Sequence, residues 1–276
     1  MHLIGTMQGR LLPMVDGRIQ AFPRGEWERE FELAADVGYD SIELTIEMAS
    51  YEIHPIRSDS GRWRINQLSH DHGVRLAGLC CDVFMERPLT DVDVSARIAS
   101  SDILADLIRA CGELDLPMIE IPTMGDNSLK DPAARDRARR ILEDSLPLAE
   151  DAAVDVILES DLPPVDLAAF MDAVGHPRLG INYDTGNSTW FGFKPDDELP
   201  LYYRHIRNVH IKDCTVKDYS VPLGQGETRF DRAFSLFRDL GYEGDFVIQA
   251  ARQDDDLKAG RDYLRFTRNL VTEWLR

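Results

Sequence analysis

Eight short apolar runs recur along this chain, each followed by a stretch of helical periodicity, and no other feature narrows its fold as far. The runs are Leu3–Met7, Ser41–Ile46, Arg75–Cys81, Pro117–Pro122, Asp155–Glu159, Leu179–Asp184, Val209–Lys212 and Asp245–Gln249. They alternate with period two or are continuous, as strands are when both faces are buried. Between them, apolar residues return every three or four positions: Trp27, Phe31, Ala34 and Ala35; Ile103, Leu104, Leu107, Ile108 and Cys111; Phe234, Phe237 and Leu240. Gly38, Gly73, Gly112 and Gly241 fall where helices should end, and a left-handed residue there costs glycine least. No Pro/Gly/Ser linker divides the chain. Strand then helix, eight times, predicts one (β/α)8 barrel as a single domain over 1–276. A doubly wound open sheet is the competing fold, but nothing like GxGxxG follows the first run.

Composition limits the partners. The formal net charge is −18, which argues against a nucleic-acid backbone or an anionic membrane surface. No run of 18 apolar residues exists, and the opening Met1-His2-Leu3-Ile4-Gly5 reads as a strand, so a soluble cytoplasmic protein is expected. Cys80, Cys81, Cys111 and Cys214 show no CxxC spacing and read as buried free thiols, with Cys80 and Cys81 on opposite faces of their strand.

In a barrel of this kind, chemistry belongs at the carboxyl ends of the strands. Gln8 and Arg10 follow the first run, and Glu43, Thr45 and Glu47 end the second. Glu120 lies in the fourth and Glu159 ends the fifth. Asn182-Tyr183-Asp184-Thr185-Gly186-Asn187 closes the sixth, His210-Ile211-Lys212-Asp213 the seventh, and Gln249 and Arg252 the eighth. Taken singly, a Glu at a strand end is usually a cap and a lone His a core residue. Strands five to eight are neighbours, however, so Glu159, Asp184 and His210 converge on one half of the mouth. Two carboxylates and an imidazole gathered there call for a cation. Mixed oxygen and nitrogen ligands suit Mn²⁺, Mg²⁺, Co²⁺ or Zn²⁺ alike.

These segments resemble the sugar isomerase/epimerase superfamily, the xylose-isomerase-like barrels that also include endonuclease-IV-type repair enzymes. The carriers, in order, are Glu159, Tyr183-Asp184-Thr185-Gly186-Asn187, Val209-His210-Ile211-Lys212-Asp213, Pro222-Leu223-Gly224-Gln225-Gly226 and Gly241-Tyr242-Glu243-Gly244. The opening Met7-Gln8-Gly9-Arg10-Leu11, with Asp82-Val83-Phe84-Met85 and Gln249-Ala250-Ala251-Arg252, also resembles a subgroup linked to surface-sugar metabolism. The resemblance implies a divalent cation held by Glu, Asp, His and Glu, with the two glutamates exchanging a proton on opposite faces of a ketose. Carried over, the first three ligands are Glu159, Asp184 and His210.

The fourth position holds Gln249, and Asn187 stands where many relatives have histidine. An amide oxygen can still coordinate a cation, with weakened affinity, but it is no base at neutral pH. One carboxylate, Glu159, then suffices for aldose–ketose isomerisation through an enediolate, or for dehydration of a keto-sugar acid. Glu120, Glu43 and Lys212 are the candidate replacements for the second base. The missing glutamate also fits a barrel that binds sugar without turning it over.

Arg10 and Arg252 follow strands that close the barrel against each other, and Lys212 shares a strand face with His210. Three cations at the catalytic end of an acidic protein predict an anionic small-molecule sugar, held by Lys212 and Arg252. As structural alternatives, Arg10 or Arg252 would pair with Glu43, Glu47 or Asp254. Phe84 and Trp190 are expected to stack on the sugar, with Gln8, Arg10, Glu43, Glu120, Asn187 and Arg252 completing the substrate site. Loop aromatics suit a dimer contact equally, so a homo-oligomer stays open. The Gly224-Gln225-Gly226 segment is either a lid or an ordinary turn. A phosphodiesterase acting on DNA is disfavoured by the charge and by the few histidines at strand ends.

Overall fold

The computed structural model describes residues 2–275. Eight parallel strands close into a barrel in sequence order, with β8 paired to β1. They are β1 (Ile4–Met7), β2 (Ser41–Ile46), β3 (Arg75–Cys81), β4 (Met118–Thr123), β5 (Asp155–Ser160), β6 (Leu179–Asp184), β7 (Ile206–Ile211) and β8 (Asp245–Ile248). Seven of these match the apolar runs to within a residue at most ends. The exception is β7, which starts three residues before Val209 because Arg207 and Asn208 interrupt the apolar pattern without interrupting the pairing.

Single helices follow six of the strands: α1 (Arg29–Val37), α2 (Asp59–His72), α5 (Pro132–Asp151), α6 (Pro164–Val174), α9 (Phe230–Leu240) and α10 (Asp256–Trp274). Two connections carry an extra short helix at the mouth. They are α3 (Val83–Glu86) before α4 (Val94–Glu113), and α7 (Thr185–Trp190) before α8 (Pro195–Tyr202). Gly38, Gly73 and Gly241 are left-handed helix caps as expected. Gly112 is not a cap. It lies inside α4, where an added Cβ would come within 2.9 Å of the Ala152 methyl, so it is there for close packing.

The main apolar core fills the layer between strands and helices. Inside the barrel the apolar content shrinks to a small cluster of Met7, Cys80 and Val247, while Cys81 points outward into the main core. All four cysteines are buried free thiols. The rest of the interior departs from the usual layers of branched aliphatics. Glu43, Glu120, Asn182, Asn208 and His210 are buried there instead. A barrel that spends its interior on charge needs a reason, and the reason stands at the mouth. Among the described residues no helix is long and apolar enough to cross a membrane.

Candidate active site and cation centre

Parallel pairing brings the carboxyl ends of β5, β6 and β7 side by side, with Asp184 directly opposite His210 in register. Glu159, Asp184 and His210 can each offer an atom so that all three lie within 4.8 Å of one another, and all are buried. The imidazole is surrounded by carboxylates. Its Nδ1 is 3.2 Å from Glu159 Oε2, and its Nε2 is 2.7 Å from Glu43 Oε2 and 3.2 Å from Glu120 Oε2. Burial opposes a charge on this ring, but Glu120 and Glu43 outweigh it and push the pKa of His210 well above the ordinary imidazole range. Nε2 faces two carboxylates, while Nδ1 lies 2.9 Å from Asn182 Nδ2, so that amide would have to give way for Nδ1 to serve a ligand.

Glu159 is the best-held group of the set. Asn182 Nδ2 donates to its Oε2 at 2.8 Å, and Asn187 Nδ2 donates to its Oε1. Burial works against its ionisation, but hydrogen bonding and charge from His210 prevail and take its pKa down to about 2. The carboxyl of Asp184 is split between two tasks. Oδ1 accepts the Asn187 N–H at 2.7 Å and so caps α7, while Oδ2 is buried without a partner. Burial raises Asp184 to about 6, with Lys212 acting against the rise. Lys212 donates to Asn187 Oδ1 at 2.8 Å and lies 3.4 Å from the centroid of the Tyr219 ring.

The donor set fits a divalent cation. Two carboxylates and an imidazole nitrogen converge, an orphaned Asp184 oxygen has no hydrogen-bond partner, and Oε1 of the neighbouring Glu43 is also unpartnered. Glu159, Asp184 and His210 would hold the ion. Gln249 lines the same cavity as Glu159 and donates its amide N–H to Gln20 Oε1 at 3.0 Å, leaving the amide oxygen as its free end. The cavity holds about 180 Å³, room for a small sugar.

The remaining residues expected at the substrate divide sharply. Arg10, Glu120 and Lys212 line the cavity, and Asn187 bridges Lys212 to Glu159. Arg10 is anchored by Ala250 O at 3.0 Å and Gln20 Oε1 at 2.9 Å. Glu43 and Gln8 lie fully buried below the mouth, Glu43 against His210 and Gln8 accepting the Thr45 N–H at 3.2 Å. Phe84 is buried in the main core, because the short helix α3 turns it away from the opening. Trp190 stays exposed at the end of α7, edge-on to Tyr219, outside the cavity lining.

Arg252 does not face the cavity. Its guanidinium donates to the Gly9 and Leu12 carbonyls and forms an ion pair with Asp256 at 2.6 Å, rather than with Asp254. It therefore ties β8 to the loop after β1, and Arg10 takes the place on the cavity wall that sequence had given to both arginines. The Gly224-Gln225-Gly226 segment is a fixed turn, since Asp213 Oδ2 accepts the N–H of Gly224 and of Gly226 at 2.9 Å each.

The cavity lining also includes Gln20, Asp82 and Tyr219, none of them among the site residues expected from sequence, although Asp82 opens the Asp82-Val83-Phe84-Met85 segment of the resemblance. Asp82 had a signal, because it lies two residues beyond Cys80 and so on the same strand face. Gln20 and Tyr219 stand on irregular loops and had none.

Residues 31–269 match the family model of the xylose isomerase-like TIM barrel. The chain belongs to that family. Within it, the chain is 24% identical over 242 residues to L-ribulose-5-phosphate 3-epimerase UlaE of Escherichia coli K12, covering 83% of this chain and 84% of the relative. The same architecture recurs in D-psicose 3-epimerase from Clostridium cellulolyticum H10, with a TM-score of 0.79 and 16% identity over 98% of this chain and 99% of that one. It recurs again in 3-keto-D-glucoside 4-epimerase YcjR of E. coli, with a TM-score of 0.74 and 18% identity over 98% and 100%. At these identities the structural likenesses speak for the barrel alone.

Proposed function

We propose that this member of the family is a divalent-cation-dependent isomerase or epimerase of a small anionic sugar, a sugar phosphate or a sugar acid. The observation that carries the reading is the convergence of Glu159, Asp184 and His210 beside Lys212 on one cavity wall. The curated relative named as a 3-epimerase supports the same class of reaction, proton transfer at a carbon next to a carbonyl.

Glu159 is the base. Its pKa of about 2 keeps it ionised across the working range, and Asn182 and Asn187 fix its two oxygens so that the carboxylate cannot turn away. Glu159, Asp184 and His210 would hold a divalent cation, which would supply positive charge to polarise a carbonyl and its neighbouring hydroxyl. Lys212, oriented by Asn187, donates toward the oxygen on which negative charge develops. Arg10, on the cavity wall, offers the second positive charge for an anionic substituent. With Glu159 alone, the proton taken from one carbon returns to the adjacent carbon on the same face, which is aldose–ketose isomerisation.

The test is solvent exchange. In D₂O with Mn²⁺, the wild type should carry deuterium into one carbon of a ketose or ketose phosphate, and Glu159→Gln should abolish it. Exchange surviving in Glu159→Gln, or none in the wild type with cation bound, rejects the reading.

A further inference from the structure

Of the segment Gly9-Arg10-Leu11-Leu12, Arg10 alone reaches the cavity lining, while Leu11 and Leu12 are buried in the main core. We propose that Glu30, which is not in that lining, is a positioning residue for the anionic end of the substrate. With Arg252 it clamps the backbone on both sides of Arg10, and so fixes where that guanidinium meets the anion. The inference rests on the anionic-substrate reading and adds to it how the arginine is aimed.

The clamp grips backbone groups of both kinds. Oε2 of Glu30 accepts the N–H of Gly9 at 2.7 Å, and Oε1 accepts the N–H of Leu11 at 3.0 Å. These two N–H groups flank Arg10. Arg252 takes the carbonyls, donating to Gly9 O and Leu12 O, and Asp256 holds it in turn by bonds of 3.1 and 2.6 Å. Gly9 has a φ of +86°, and an added Cβ would come within 2.5 Å of the Ala21 carbonyl oxygen, so only glycine fits the turn that leads into Arg10. Glu30 has little freedom of its own. It lies fully buried in the first turn of α1, beside Phe31 of the main core.

The side chain so held has donors to spare. Of its five N–H donors, Arg10 spends one on Ala250 O at 3.0 Å and one on Gln20 Oε1 at 2.9 Å, and neither acceptor is charged. Arg252 is paired with Asp256, but no ion pair within 4.0 Å joins Arg10 to a carboxylate among the described residues. Burial and the neighbouring Arg252 lower the pKa of Arg10 only to about 10, so it stays charged near neutrality. In a chain of net charge −18, an unpaired guanidinium on a cavity wall is completed by an anionic ligand.

Glu30 also serves the fold, because an apolar residue in its place would strand two N–H groups. The two roles differ in what they predict. Loss of a fold contact weakens every ligand alike. Loss of aim weakens only ligands with an anionic group, and only while Arg10 is present. The expected sign also opposes a simple charge effect, since deleting a nearby carboxylate would tighten an anion.

The test is a double-mutant cycle of Arg10→Met with Glu30→Gln, which keeps the side-chain shape but turns one acceptor oxygen into a donor. The probes are L-ribulose, L-ribulose 5-phosphate and the keto-sugar acid D-fructuronate. Each is titrated calorimetrically with Mn²⁺ at about pH 8, above the value of about 7 to which burial raises Glu30. For an anionic probe that the wild type binds more tightly than L-ribulose, Glu30→Gln should weaken binding by about tenfold. It should leave L-ribulose within about twofold, and should add nothing in the Arg10→Met background. Equal weakening of L-ribulose overturns the proposal, as does anion affinity within about twofold of wild type. An undiminished effect in the Arg10→Met background overturns it too, since Glu30 then acts by another route. Should Glu30→Gln fail to fold, Glu30→Asp, which draws the carboxylate back by one methylene, is read by the same outcomes. A wild type that binds neither anionic probe better than L-ribulose rejects the anionic-substrate reading itself, and the role of Glu30 falls with it.

Discussion

Glu43 Oε2 and His210 Nε2 lie 2.7 Å apart with both side chains fully buried, one on β2 and the other across the barrel on β7. The contact fixes which face of the imidazole meets Glu159 and Asp184. Carboxylates that hold the far nitrogen of a ligating histidine set its tautomer and basicity, and their loss weakens metal binding by roughly 10–100-fold. Glu43→Gln should therefore lower Mn²⁺ affinity by about that factor in a calorimetric titration, with the fold retained by circular dichroism. Unchanged affinity would mean that His210 does not ligate.

Gln249→Glu should act in the opposite direction. A carboxylate in place of the amide adds an anionic oxygen beside Glu159, so Mn²⁺ affinity should rise by roughly tenfold or more. Gln20 must then turn its own amide to donate where it now accepts. If titration shows no change, Gln249 is not at the cation.

A buried acid outside the cavity supports α7 from behind. Glu198 on α8 accepts from Ser188 Oγ, from Tyr183 OH at 2.7 Å and from Tyr202 OH at 2.9 Å. Glu198→Ala strands three hydroxyls in the interior and should cost about 3 kcal/mol in urea unfolding. Glu198→Gln, which keeps one acceptor oxygen, should recover part of that loss. Equal losses in the two variants would assign the effect to packing volume instead.

His54 sets part of the acid limb of stability. It is buried against Phe22, with ring centroids 4.2 Å apart, and burial lowers its pKa from an ordinary 6.5 to about 3. A depressed folded pKa gives stability that is complete above pH 6.5 and is lost as pH falls toward about 3. Glu30 runs the other way. Burial raises it to about 7, so its contribution is complete below pH 4.5 and is lost as pH rises through 7. Melting curves of wild type and His54→Asn, subtracted, should isolate the histidine as a difference that grows on acidification from pH 6.5, reaching a few kcal/mol. A flat difference would mean that the buried ring is protonated as readily as in the unfolded chain.

The barrel was legible because each strand is a short, mostly apolar run and each helix is apolar along one side, a contrast that survives without any tertiary knowledge. Glu159, Asp184 and His210 were legible for the same reason, since polar residues at the ends of apolar strands have few other places to go. The start of β7 was hidden by Arg207 and Asn208, polar residues that the barrel accommodates within the strand. Arg252 shows the limit on charge. Its position at a strand end suggested substrate, while Asp256, four residues on at the start of α10, carried the competing signal of a local ion pair. Phe84 followed the same rule as any large apolar side chain near a core. Gln20 could not have been found, because the loop that carries it reaches the cavity by a path that no periodicity records.

Of the four positions that the family resemblance assigns to a cation, three are held firmly, Glu159 by two asparagines, Asp184 by the helix it caps, and His210 by three carboxylates. Gln249 has a single side-chain partner, and that partner belongs to a loop. Position 249 is thus where descent can experiment cheaply. A substitution there disturbs one side-chain hydrogen bond to a loop, whereas one at Glu159 or His210 breaks contacts inside the barrel itself.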